Sequence, residues 1–101
     1  MSLDLSTLPH DQIADFCRRN GIRRLAVFGS ALRDDFTALS DIDVLVEFEP
    51  GTRIGLMGFQ RLEAELGVLL GRRVDLNTRG VLSRHFGDQV AAEARNLYVA
   101  A

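Results

Sequence analysis

Apolar residues recur along the chain at spacings that switch between helical and extended. Over residues 9–19, Ile13, Phe16 and Cys17 share one helical face, Pro9 stands where a first-turn proline is tolerated, and Asn20-Gly21 supplies a stop. Residues 23–28 read as a short strand. Leu25, Ala26, Val27 and Phe28 make it apolar on both faces, which predicts a central place in a sheet. Gly29-Ser30 ends it, and a second strand over 41–48 closes at Glu49-Pro50-Gly51, a turn signal. Over 56–70, Phe59, Leu62, Leu66, Leu69 and Leu70 return to helical spacing, with Gly71 as a stop. Residues 73–77 form a third strand, Val74 and Leu76 on one face and Asp75 on the other. A last helix is expected over 88–98, with Val90, Ala94, Leu97 and Tyr98 facing inward. The order αββαβα predicts an α+β (α/β) fold, a small mixed β-sheet with helices packed on it.

Composition narrows the class without naming a function. A chain of 101 residues, 47% apolar and 26% charged, reads as a single domain over 1–101 with enough core to fold without disulfides. The net charge of -2 argues against a stable nucleic-acid binder, which needs a basic track. All 12 basic residues are arginine, a bias that base composition explains more simply than phosphate chemistry. Cys17 is the single cysteine, so no internal disulfide or thiolate cluster forms, and its place beside Ile13 and Phe16 predicts a small buried thiol. There is no signal-peptide pattern and no apolar run long enough to span a membrane, so the expected location is cytoplasmic.

The chemistry lies in residues 29–43, GSALRDDFTALSDID. On a strand, positions two apart project from one face, so Asp41 and Asp43 point together while Ile42 points away. Two adjacent carboxylates entering the apolar run Val44-Leu45-Val46 repel each other, and a divalent cation removes that conflict. Hard oxygen ligands suit Mg2+, which keeps waters and completes its shell from phosphates. With 9 aspartates in 101 residues, one such pair arises about once by chance, so its context matters. Gly29 can leave the strand sharply, Ser30 adds a hydroxyl, and Arg33 can reach the same anion as a fork. The turn lacks the Gly-Lys-Ser/Thr ending of a P-loop. Asp75 either pairs with Arg72 or Arg73 or, if its strand adjoins that of Asp41 and Asp43, joins them as a third metal ligand. Two ions about 4 Å apart would then serve in-line displacement at phosphorus.

Gly-Ser, ten further residues, Asp-x-Asp within SDIDVLVEF and a strand acid within RRVDL together resemble the nucleotidyltransferase superfamily that includes DNA polymerase β and kanamycin nucleotidyltransferase. In length and element order, over about residues 10–98, the chain looks like the stand-alone minimal nucleotidyltransferases (MNT), whose usual partners are HEPN-domain proteins. The resemblance implies a polymerase β-like nucleotidyltransferase fold. It implies that Gly29 and Ser30 hold the β- and γ-phosphates with Arg33 assisting, and that Asp41 and Asp43 bind metal. It further implies that Asp75 binds the catalytic-side ion and draws the proton from the acceptor hydroxyl. Two Mg2+ ions and ATP are the implied cofactor and substrate, and AMP is the group moved. The implied acceptor is a tyrosine of a HEPN toxin, which makes this chain an adenylylating antitoxin. Many relatives carry arginine directly after Gly-Ser, whereas this chain has Ala31, one phosphate contact fewer.

The rival reading is a non-catalytic antitoxin that neutralises a HEPN ribonuclease by covering it. Arg79 and His85 stand at an R-x5-H spacing similar to the HEPN ribonuclease motif, but that motif belongs to a helical bundle and is here best read as coincidence. His10 is expected to be exposed in a first helical turn, and Glu47 and Glu49 to lie on the wet face of a strand.

Overall fold

The computed structural model describes residues 3–33, 36–37, 40–78 and 92–101. Helix α1 runs His10–Arg19, strand β1 Ile22–Phe28, strand β2 Ile42–Phe48, helix α2 Leu56–Leu70, strand β3 Val74–Thr78 and strand β4 Arg95–Val99. Short 3-10 turns at Leu5–Thr7 and Gly29–Leu32 precede α1 and follow β1. Asp11 in the first turn of α1 and Arg18 and Arg19 in its last complement the helix dipole, and the Asn20 side chain donates to Phe16 O where the helix stops. Helix α2 ends on Gly71 in the left-handed conformation at φ 70°, with its N–H returned to the carbonyls of Gly67 and Val68.

The four strands lie in the order β3-β2-β1-β4. β1 is antiparallel to both of its neighbours, while β2 and β3 are parallel, joined across α2. Central β1 buries Leu25, Ala26, Val27 and Phe28, as its two-sided apolar pattern predicts. The main core lies between the sheet and the helices: Ile13, Phe16 and Cys17 of α1 and Leu62, Leu66 and Leu70 of α2 pack on Val27, Ile42, Val44, Val74 and Leu76. Each such side chain contributes roughly 1.5–3 kcal/mol by leaving water. A smaller cluster of Ala26, Phe28 and Leu45, with Ala94 against it, comes from the alternate positions on the strands.

The expectation of a last helix over 88–98 fails at its C-terminal end. Residues 88–91, including Val90, lie outside the described residues, and Arg95–Val99 is strand β4. The free edge of β1 presents backbone donors and acceptors that a helix there would leave unpaired, and β4 satisfies them. The register slips between Leu25 and Ala26, which leaves Leu97 as an extra residue; it and Tyr98 both pack against the helix-side core. Two neighbouring inward residues imitate helical spacing. Arg79 and His85 also lie outside the described residues.

Candidate active site

Asp43, the second residue of β2, pairs with Phe28 at the end of β1 and with Asp75 of β3 on its other side. Ile42 and Val44 enter the helix-side core, and so do Val74 and Leu76. Strand alternation therefore puts Asp43 and Asp75 together on the opposite face, in register on adjacent strands. Asp41 is exposed, one residue before β2 begins. Burial, the largest cause, raises the Asp43 carboxyl above its usual range, and the charge of Asp75 raises it further. The Ser30 N–H, which donates to this carboxylate, lowers it; Asp41 raises it again and Arg33 pulls weakly down.

Gly29 turns out of β1 with φ 72°. A Cβ at this position would overlap Asp43 Oδ2 and stand 3.3 Å from Asp43 Cγ, so both the turn and its contact with the carboxylate require glycine. Ser30 follows half-buried, its N–H committed to Asp43. Ala31 sits wholly in the core, where it adds nothing to an anion site. Arg33 is exposed, and its N–H closes the turn on Ser30 O at 3.0 Å.

The pairing of Asp75 with a neighbouring arginine is not made. Arg72 donates from Nη1 to Thr37 O at 2.8 Å and lays its guanidinium over the Phe36 ring, 4.5 Å from the centroid. The Ile42 N–H donates to Arg73 O at 2.9 Å. The approach to β2 is thus fastened to the approach to β3, and Asp75 has no ion pair among the described residues. Glu47 is held by Arg24 at 3.1 Å, which makes it a structural partner and not a ligand, and His10 is exposed with Nε2 2.8 Å from Leu5 O. Burial pushes the Cys17 thiol up to about 12, as befits an inert core residue.

These donors are carboxylate oxygens coupled by like charge, the set a hard divalent cation takes. Among the described residues, no three His, Cys, Asp or Glu side chains are gathered tightly enough to close around an ion unaided. Water and phosphate oxygens complete such a shell around Mg2+. One residue beside the turn escapes sequence reasoning. Arg95, 66 positions beyond Gly29 in number, opens β4 opposite Val27 and lines a cavity of about 570 Å3 with Gly29, Leu32, Arg33 and Glu93. Only the edge pairing of β4, which a helical reading hides, brings it there.

The nucleotidyltransferase domain family matches the chain over residues 10–98. The chain is 40% identical over 75 residues to protein adenylyltransferase MntA of Thermococcus cleftensis, covering 74% of each chain. A solved structure of a candidate minimal nucleotidyltransferase is 37% identical and superposes with a TM-score of 0.67, over 92% of this chain and 95% of that one. The MNT antitoxin–HEPN toxin complex of Shewanella oneidensis, its toxin tri-AMPylated, aligns with a TM-score of 0.63 at 22% identity, over 90% of this chain and 70% of that one. At that identity the likeness is one of fold.

Proposed function

The chain belongs to the nucleotidyltransferase domain family, and from that membership and the site geometry we propose an adenylyltransferase that modifies a HEPN-domain toxin and so acts as its antitoxin. The reaction moves AMP from ATP to a hydroxyl, by preference a tyrosine of the toxin, in the cytoplasm. The observation that carries this reading is the register of Asp43 on Asp75, two coupled carboxylates beside the Gly29 turn with no cationic side chain bonded to either among the described residues. The names of similar proteins, an adenylyltransferase and an antitoxin bound to a HEPN toxin, support the group moved and the partner.

Asp41 and Asp43 are the residues that would hold Mg2+, with Asp75 beside them; a second ion would share the same acids. When bound, the metal supplies charge neutralisation on the phosphates and lowers the pKa of the attacking hydroxyl. In this reading Asp75 accepts the proton as the hydroxyl oxygen bonds to the α-phosphorus. The α–β bridging P–O bond breaks and pyrophosphate leaves. Ser30 Oγ and Arg33 steady the leaving phosphates, while the Ser30 N–H and Gly29 fix the position of Asp43. No covalent enzyme intermediate is required.

A non-catalytic antitoxin is favoured by two observations: the acids do not close around an ion unaided, and the buried Ala31 offers no cation beside Ser30. Incubation of the protein with labelled ATP, Mg2+ and a HEPN-domain partner decides between the two. Transfer of label to the toxin, gaining the mass of one or more adenylyl groups, is expected. A paired Asp41→Asn, Asp43→Asn variant should lose at least about 100-fold in rate. Protection from the toxin by that variant equal to wild type would show that catalysis is not how the antitoxin works.

A further inference from the structure

The phosphate turn is short of positive charge for the substrate it serves. Its Ser30 N–H is spent on Asp43, and Ala31 faces the core. Ser30 Oγ and Arg33 remain, against a triphosphate tail that carries several negative charges.

The cavity beside the turn offers what is missing. Gly29, Leu32 and Arg33 form one side of it, and Glu93, Ala94 and Arg95 the other. Gly29 is the partition: Asp43 packs on it, and the cavity opens on it as well. Arg95 pairs with Val27, two residues before Gly29, so the strand ladder fixes its backbone against the turn. Both arginines are exposed, and among the described residues neither guanidinium is hydrogen-bonded or ion-paired. Arg24, on the same sheet, shows the contrast, since Glu47 and Asn96 occupy its guanidinium. Two guanidinium groups against the single carboxylate of Glu93 make the cavity walls net positive, and planar forks of this kind grip phosphate oxygens two at a time.

We propose that this cavity receives the β- and γ-phosphates of the nucleotide and that Arg95 joins Arg33 as a second fork upon them. The inference rests on the nucleotidyl-transfer reading and supplies a phosphate contact that the buried Ala31 cannot make. AMP, which lacks those two phosphates, has no business with Arg95.

Calorimetric titration of ATP and of AMP, each with Mg2+, into wild type, R95A and R95K tests it. R95A should weaken ATP about 10-fold or more while AMP binds as before and the melting temperature holds. R95K, a point charge without the fork, should fall between wild type and R95A. Should R95A lose its cooperative melt, R95Q is read in its place. Equal ATP affinity in wild type and R95A would overturn the proposal, and so would a matching loss for AMP. If wild type binds neither nucleotide, the transferase reading fails with it, a result distinct from an R95A that binds ATP normally.

Discussion

Asp43 shows how one residue carries the tension of the site. Its backbone belongs to the sheet, its neighbour Ile42 is fully buried, and its carboxylate is pressed between Gly29 and the like charge of Asp75. Because the folded protein holds this proton more tightly than the unfolded chain does, its ionisation costs the fold stability. As pH rises from the ordinary value of 3.8 through the raised value, that part of the stability is lost. Asp43→Asn removes the ionisation. In chelator, the difference in melting temperature between the variant and wild type should grow in favour of the variant across this window and then level off. A constant difference from acid to neutral pH would mean that the carboxyl is not perturbed. The spacing of Asp41 and Asp43 is legible in sequence, but the burial that shifts one of them is not.

Elements rather than single side chains bring the acids together. Parallel pairing of β2 with β3 needs a crossover, and α2 supplies it with its apolar stripe of Leu62, Leu66 and Leu70 on the core. Arg72 then clamps the chain entering β2 through Thr37 O and the Phe36 ring. Arg72→Ala should cost on the order of 1–2 kcal/mol of stability, read from the urea midpoint. It should lower kcat for transfer by several-fold with a smaller change in KM for ATP, because Asp41 and Asp75 lose their relative placement while the Gly29-Ser30 turn is untouched. Arg72→Lys, which keeps the charge without the planar stack, should recover part of the rate. The helices and the three strands that precede residue 79 follow from local periodicity and their stops. β4 does not, since Leu97 and Tyr98 satisfy a helical pattern and a bulged strand equally well, and the open edge of β1 decides between them.

For the molecule as a whole, the carboxylate pair is a local liability that a bound cation would relieve. Anything that binds the folded chain and not the unfolded one raises its stability by mass action. Mg2+ with ATP should therefore raise the melting temperature of wild type, by about 2.7 kcal/mol of stability at a hundredfold excess over Kd. The paired Asp41→Asn, Asp43→Asn variant should show little or none of that gain while melting cooperatively by itself. An equal gain in both proteins would place nucleotide and metal somewhere other than this face. Across the described residues, no helix is long and apolar enough to cross a membrane.

The amino-acid sequence by itself determined the helical stripes, the apolar central strand, the glycine turn and the identity of the acids, because these depend on neighbours a few positions apart. Tertiary structure alone decided that Asp75 stands in register with Asp43, that Arg72 turns away from it, and that Arg95 lines a cavity beside the Gly29 turn. Each of these depends on which strand edges meet. Edge pairing is settled by hydrogen-bond demand and core closure over the whole sheet, and no short window of sequence records it.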